Sequence, residues 1–316
     1  MVLRGQLRGR VGRRRDYFRN GPALRWAVLL LRTGCGNSDD HMKPRLFLDT
    51  QICIDIGKRV IDRRMWARVW RHITSNFQYV ISPLTLCEVL TGVASGTDRY
   101  FNENREALRV LVPPNSQKRF LGLPAAFVLQ TVLCHKIEAQ GFAPKDFDTW
   151  VKVVLRAPNK HALEAGDVPL GVSSTQTYGF DSSLHVAQLS QGEHEHVQEL
   201  HKLRNGILEI PSSLVWAAAI LVRQGMKPSH EECQRVARSL DAAFQFDMSL
   251  YSHARTSNYN FEKHKSDWID EQQLYYLSDP QVYFLTRDGR LREWTKASTQ
   301  ASRILDFDSF PTQIAA

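Results

Sequence analysis

The sequence predicts an α/β protein with a central parallel sheet flanked by helices and a large, mostly helical insertion. Short apolar runs alternate with helical patterns at both ends of the chain, which is typical of a parallel sheet. Two of these runs, RLFLDT and VYFLTRD, end at an acid, Asp49 and Asp288. A long segment with helical periodicity separates the two ends and predicts the insertion.

The first alternating part follows residue 42. Residues 45–48 predict a buried strand, residues 58–75 an amphipathic helix and residues 78–82 a second strand. Ser82 and Pro83 are typical of an N-cap and a first helical position, so they predict a helix over PLTLCEVLTGV.

The second alternating part lies near the end of the chain. It predicts a helix over 267–278, a strand over 282–286, a turn into GRLREWTKAST at Gly289, and a last strand over 303–307. We expect residues 42–97 and 262–316 to form one α/β domain.

The middle of the chain, residues 98–261, is expected to be a helical insertion into this domain or a cap on it. Predicted helices cover residues 125–140, 145–156, 193–205, 212–224 and 229–246. Residues 157–183 are rich in Gly, Pro, Ser and Thr and predict a long loop. The apolar segment 216–222 predicts either core or a contact in a homodimer.

The net charge of +8 is concentrated in the first residues. Residues 1–41 contain nine arginines and three aspartates, so this leader carries +6 and the rest of the chain +2. The apolar stretch 26–31 is far shorter than the roughly 20 residues of a membrane span. A nucleic-acid arm, a targeting peptide and an upstream extension all fit the leader. We expect it to be disordered, with the folded protein beginning at Met42 and making no membrane contact.

Cysteine usage and motifs narrow the class of protein. No CxxC pair is present among Cys35, Cys53, Cys87, Cys134 and Cys233. This spacing argues against a structural zinc site and a disulfide framework, and it favours a reducing, cytoplasmic setting with Cys53 and Cys87 as buried thiols. The sequence also contains no Walker loop, dinucleotide fingerprint or Ser/His/Asp arrangement.

Four acids occupy equivalent places in the predicted sheet. Asp49 and Asp288 end strands, Glu88 lies on the helix after the second strand, and Asp270 lies near the start of a later helix. Strand ends and these helix N-termini share one edge of a parallel sheet, so the four carboxylates are expected to converge. Carboxylates without His or Cys favour Mg²⁺ or Mn²⁺. Such an ion activates water and neutralises charge on a phosphoryl oxygen.

The segments around these acids resemble the PIN domain, a family of small α/β nucleases. The segments that carry the resemblance are FLDTQICIDI, SPLTLCEVLTG and DEQQLYYLSDPQVYFLTRDGRL, within about residues 42–95 and 262–308. The resemblance implies a PIN-like (Rossmann-like) sheet and a metal-dependent endoribonuclease that leaves 5′ phosphate and 3′ hydroxyl ends. It also implies that Asp49, Glu88, Asp270 and Asp288 are the catalytic and metal-binding acids, with Thr286 orienting the site.

The chain departs from the family pattern in two respects. Gln51 stands where a small polar residue is common, and the chain is about twice the usual length. Asp267 competes with Asp270 for the third acidic position, and spacing favours Asp270. Taken singly, each acid also fits a turn, a helix terminus or a solvated face. Other functions left open are a non-cleaving scaffold that binds RNA or protein, a nuclease for structured DNA, and a toxin neutralised by a partner protein.

Basic residues supply candidate contacts to an RNA substrate. Arg255, Lys263 and Lys265 precede the Asp270 helix and fit either phosphate contacts or solvated surface. A basic stripe follows the first predicted helix at Arg59, Arg63, Arg64, Arg68 and Arg71. It fits either a nucleic-acid backbone or an ordinary exposed face. The histidines of GEHEHVQELH lack HExxH spacing and predict a solvated polar helix.

Overall fold

The computed structural model describes residues 43–95, 97–113, 119–135, 144–169, 177–178, 183–256 and 259–310. The predicted leader, residues 1–41, lies outside the described residues, as do residues 136–140 of one predicted helix. All structural statements below concern the described part of the chain.

A parallel sheet of four strands lies at the centre of the fold, as the sequence predicts. The strands of the chain are β1 (Arg45–Leu48), β2 (Gln78–Tyr79), β3 (Val168–Pro169), β4 (Thr177–Tyr178), β5 (Val282–Thr286) and β6 (Ile304–Asp306). The central sheet has the order β2-β1-β5-β6, and β3 and β4 form a separate antiparallel pair. Leu48 of β1 lies opposite Leu285 of β5, so the ends of the two central strands are level.

Helices make up most of the described chain and flank the sheet. In order they are α1 (Thr50–Gly57), α2 (Arg63–Asn76), α3 (Pro83–Ser95), α4 (Asp98–Leu111), α5 (Pro124–Leu133), α6 (Pro144–Arg156), α7 (Lys160–Ala165), α8 (Ser183–Arg204), α9 (Ser213–Arg223), α10 (His230–Ser239), α11 (Asp241–Thr256), α12 (Asp267–Leu274) and α13 (Gly289–Thr295). Short 3-10 turns follow at Tyr275–Ser278 and Ala301–Arg303.

The sheet is buried on both faces. Successive side chains of a strand point to opposite faces, so Leu46 and Leu48 join one hydrophobic cluster and Phe47 joins the other. The middle segment supplies residues to both, such as Val151 to the first cluster and Phe246 to the second. This double burial explains why the strands are continuous apolar runs.

Several predicted element boundaries are wrong. The predicted helix 58–75 is the single helix α2, and the pattern does not predict α1, because an aspartate after a strand fits both a strand end and a helix cap. Asp49 and Asp62 cap these two helices by accepting bonds from backbone N–H groups. The predicted loop 157–183 contains α7, and the predicted helix 229–246 is interrupted at Leu240.

Two other expectations concern thiols and membranes. Cys53 and Cys87 are buried and free, which confirms their prediction as buried thiols. Within the ranges described, no helix is long and apolar enough to span a bilayer.

Candidate functional site

The candidate site lies where the chain connections diverge at the carboxyl edge of the sheet. From β1 the chain crosses to β2 on one side, and from β5 it crosses to β6 on the other. Such a switch point leaves a crevice beyond the strand ends, where ligands bind in open α/β sheets. Asp49 follows β1 directly, and Asp288 lies two residues beyond β5.

Thr286 connects these two segments. Its Oγ1 donates a 2.5 Å hydrogen bond to Asp49 Oδ2 and accepts a 2.9 Å bond from the backbone N–H of Asp288. Asp49 is only 5% exposed, and its Oδ1 accepts a 3.2 Å bond from the Gln51 N–H. Burial raises the pKa of Asp49 to about 6, while the Thr286 and Gln51 bonds lower it.

Asp288 is fixed by the helix that it opens. Its Oδ1 accepts bonds of 2.8 Å and 3.1 Å from the N–H groups of Arg290 and Leu291, at the start of α13. The carboxylate remains partly exposed. Its negative charge raises the pKa of Asp49, so the two strand-end acids are electrostatic neighbours.

Glu88 reaches the same edge from α3. Its Oε2 accepts a hydrogen bond from Thr50 Oγ1 and a long one, 3.5 Å, from Gln273 Nε2. Burial raises the pKa of Glu88 to about 8, the Thr50 bond lowers it, and the charge of Asp49 raises it further. Neither Thr50 nor Gln273 was singled out in the sequence, since a Thr or Gln on a helix carries no distinguishing pattern.

Asp270 interacts electrostatically with the other three acids. Burial is the main cause that raises its pKa well above the usual range, and the charges of Asp49, Glu88 and Asp288 each raise it further. Asp270 therefore lies within electrostatic influence of the other three acids, while their convergence on one metal ion stays a prediction. The four acids come from two strand ends and two helices.

Asp267 lies on the same helix but has a different environment. Its side chain is fully buried, and it accepts bonds from Tyr259 Oη and, at 2.5 Å, from the Arg290 guanidinium. Asp270 is less tightly paired, at 3.9 Å from the same guanidinium. Asp267 thus anchors α12, whereas Asp270 faces the other acids.

Arg290 is the cation of this site, and the sequence reading missed it. Its guanidinium lies 3.8 Å from Asp288 and stacks over Trp294 at 5.0 Å. Together with the Asp267 and Asp270 contacts, this places one positive charge against three carboxylates. The dipeptide Asp288-Gly289 drew attention only to the turn, although Arg290 follows it directly.

The donor set has the chemistry of a hard divalent cation site but not a closed geometry. Among the described residues, no group of three or more His, Cys, Asp or Glu side chains is arranged to hold a metal ion. All the candidate donors are carboxylate oxygens, which Mg²⁺ and Mn²⁺ prefer. Asp49, Glu88, Asp270 and Asp288 would be the residues to hold such an ion. They carry more negative charge than one arginine offsets.

Two of the three predicted substrate contacts have side-chain partners within the chain. Arg255 donates a 2.7 Å bond to the Leu208 carbonyl, and Lys265 pairs with Glu193 at 3.0 Å. Lys263 is exposed, and its backbone N–H bonds to Asn260. The prediction that the histidines of GEHEHVQELH lie on a solvated helix is wrong for His196, which is buried, with 6% of its surface exposed.

No protein-family model, curated protein or solved structure matches this chain. The fold and site define an α/β protein with a parallel sheet whose switch point carries a cluster of carboxylates.

Proposed function

We propose that this protein is a metal-dependent endoribonuclease of the PIN type. The observation that carries the proposal is the Thr286 hydroxyl, which bonds to the Asp49 carboxylate and to the Asp288 N–H and so holds the two strand-end acids at one edge of the sheet. Burial and the charges of Asp49, Glu88 and Asp288 raise the pKa of Asp270, and an acid perturbed in this way beyond the strand ends is a functional-site candidate. The T-x-D arrangement from Thr286 to Asp288 supports the same assignment.

The chain's own residues divide the work of such a site. When bound, Mg²⁺ or Mn²⁺ would activate a water molecule and neutralise charge on the scissile phosphate. Asp49 is held in one orientation by Thr286 and by the Gln51 N–H, so it presents a fixed carboxylate. Arg290 is close enough to Asp270 and Asp288 to contact a phosphate oxygen beside them.

The test is cleavage of single-stranded RNA by the purified chain in EDTA, Mg²⁺ or Mn²⁺. We expect cleavage only with metal, and 5′ phosphate ends on the products. Asp49→Asn and Asp288→Asn should each lower the rate by more than the roughly 10- to 100-fold typical of outer-shell substitutions. Asp308→Asn is the control, because this exposed carboxylate pairs with Arg287 near the same edge.

Unchanged metal-dependent cleavage by both site variants would overturn the assignment. A flapped DNA substrate run in parallel separates a ribonuclease from a nuclease for structured DNA. Cleavage of the DNA in preference to the RNA would favour the second.

A non-cleaving scaffold that binds RNA or protein is the second candidate. It is favoured by the position of Arg290, whose guanidinium already offsets part of the negative charge, and by the open arrangement of the carboxylates. Calorimetric titration with Mn²⁺ separates the two candidates. Heat of binding that Asp49→Asn abolishes supports the nuclease, and no heat with either protein supports the scaffold.

A further inference from the structure

We propose that a cavity formed by α1, α2 and α4 binds a nucleotide of single-stranded RNA, with a base on Trp66 and a phosphate on Arg59. The cavity has a volume of about 760 Å³, within the range of small-ligand sites. Part of the inference rests on the proposed function, because the choice of RNA as the bound strand comes from the proposed ribonuclease.

Two aromatic rings line the cavity. Trp66 and Trp70, one turn apart on α2, are both half-buried, with ring centroids 5.5 Å apart. Trp70 packs edge-on against Tyr79 at 5.0 Å, so it belongs partly to the core. Trp66 also packs against the core but makes no second ring contact of this kind among the described residues, so it is the better candidate for stacking on a base.

Four cations also line the cavity, and three of them are unpaired in the described part of the chain. Lys58, Arg59, Arg63 and Arg109 contribute to the lining, against Glu103 and Glu106. Both acids already have partners, since Glu106 pairs with Arg109 and Glu103 pairs with Arg99 at 3.2 Å. In the described part of the chain, the side chains of Lys58, Arg59 and Arg63 have no ion pair or hydrogen bond. They are available to an anionic ligand.

Arg59 occupies a backbone position that favours glycine. Its φ is 62°, in the left-handed region, where a side chain is unfavourable. The turn ends α1 with bonds from Arg59 N to Ile56 O at 3.0 Å and from Val60 N to Asp55 O at 2.8 Å. This is a Schellman motif with arginine where glycine is usual. A strained residue at the edge of a cavity supports a functional role for its side chain.

An aromatic face beside free cations selects the class of ligand. Single-stranded nucleic acid offers unstacked bases and a phosphate backbone, whereas the bases of a duplex are already stacked. The cavity and the candidate acidic site lie at opposite ends of α1, because Asp49 caps its start and Arg59 follows its end. Helical rise makes this separation about 12 Å.

The test is the affinity of the full chain for a short, fluorescein-labelled single-stranded RNA in EDTA, measured by anisotropy. We expect Arg59→Gly and Trp66→Leu each to weaken binding by about tenfold. Trp66→Phe should restore most of the affinity, because it keeps an aromatic face. Arg59→Gly should also lower the slope of log Kd against log salt by about 0.7, as expected for one lost phosphate contact.

Arg68→Ala is the matched control, since it removes an exposed arginine from α2 that does not line the cavity. We expect less than about a twofold change. Arg59→Gly relieves the strained φ, so thermal unfolding should show that it is at least as stable as the parent, and lost affinity cannot then come from misfolding.

The inference fails if the parent does not bind this RNA, if Arg59→Gly binds with full affinity, or if Arg68→Ala loses as much affinity as Arg59→Gly. Binding through the cavity without any cleavage would overturn the proposed nuclease and leave the cavity assigned. Cleavage by the parent, together with unchanged RNA affinity in the cavity variants, would support the proposed nuclease and overturn the assignment of the cavity.

Discussion

The Thr286 hydroxyl donates a 2.5 Å hydrogen bond to Asp49 Oδ2, joining segments that are 237 residues apart in the chain. The same hydroxyl accepts a bond from the Asp288 N–H. This bond fixes the orientation of the Asp49 carboxylate. It also lowers the pKa of Asp49, which burial and the charge of Asp288 raise. Thr286 is therefore a positioning residue for the proposed metal site.

Thr286→Val tests this role. The variant keeps the shape of the side chain but leaves Asp49 Oδ2 and the Asp288 N–H without their Thr286 partner, while Asp49 Oδ1 keeps its bond from the Gln51 N–H. We expect a loss of about 1–3 kcal/mol in the free energy of unfolding and a 10- to 100-fold lower rate of metal-dependent cleavage. Urea unfolding and cleavage assays measure the two effects. Thr286→Ser should recover both.

A second buried threonine provides the control for this experiment. Thr295 Oγ1 donates to the Leu291 carbonyl at 2.8 Å, within α13 and without contact to an acid. Thr295→Val should therefore leave the cleavage rate unchanged. If Thr286→Val also cleaves at the parent rate, Thr286 has no positioning role.

Arg290 is expected to stabilise the protein through Asp267. Because Asp267 is fully buried, Arg290→Met leaves an unpaired charge in the interior and should lower the free energy of unfolding by about 3 kcal/mol. Asp267→Asn in the same chain removes that charge and should recover most of the loss. Urea unfolding of the two single variants and the double variant gives the coupling energy. A coupling energy near zero would contradict the pairing.

The sequence predicts the strands better than it predicts the helices around them. The strand over 282–286 matches β5, because a continuous apolar run between turn residues has few other interpretations. The sequence pattern does not predict α1, because an aspartate after a strand fits both a strand end and a helix cap. The distinction depends on the backbone N–H that the carboxylate meets, which periodicity does not reveal.

The shared sheet edge of Asp49 and Asp288 could be predicted from the sequence, whereas the surroundings of these acids could not. Strand ends and helix starts share an edge by topology, so the convergence of Asp49 and Asp288 follows from the order of elements. Arg290 contacts Asp288, and Thr50 bonds to Glu88. Both contacts depend on distances of a few ångströms that only packing determines. The role of Asp267 likewise depends on its hydrogen bond from Tyr259. This tyrosine lies in a part of the chain that the α/β pattern does not cover.

His196 is expected to make stability depend on pH. It is buried on α8, its Nε2 has no hydrogen-bond partner in the described structure, and burial lowers its pKa from 6.5 to about 4, with the charge of Arg223 adding to the effect. Between these two values the unfolded chain binds more protons than the folded one. The free energy of unfolding should therefore fall by about 3 kcal/mol as the pH drops from 6.5 to 4.

The measurement is urea unfolding at several pH values for the parent and for His196→Leu, because the difference between them removes the contribution of other groups. The parent should lose more stability than the variant over this window. His194→Leu changes an exposed histidine on the same helix and should retain the parent's pH dependence. Parallel pH profiles for the parent and His196→Leu would show that His196 does not titrate as described.

Gly192 allows α8 to pack closely on α12, the helix that carries Asp270. A Cβ at this position would lie 2.5 Å from Trp268 Cη2 and 2.7 Å from Cζ2. Gly→Ala in a helix usually stabilises by about 1 kcal/mol, but here the clash reverses the sign, and we expect Gly192→Ala to cost about 1–3 kcal/mol. It should also slow cleavage, because displacing α12 moves Asp270 away from the other acids.

Trp268→Leu provides the double-mutant cycle. The smaller side chain removes the ring atoms that the new methyl group would meet, so Gly192→Ala should cost less than about 0.5 kcal/mol in that background. Urea unfolding of the four proteins measures the coupling, and cleavage assays show whether activity returns with stability. If Gly192→Ala costs the same in both backgrounds, the contact between α8 and α12 is not what the glycine protects.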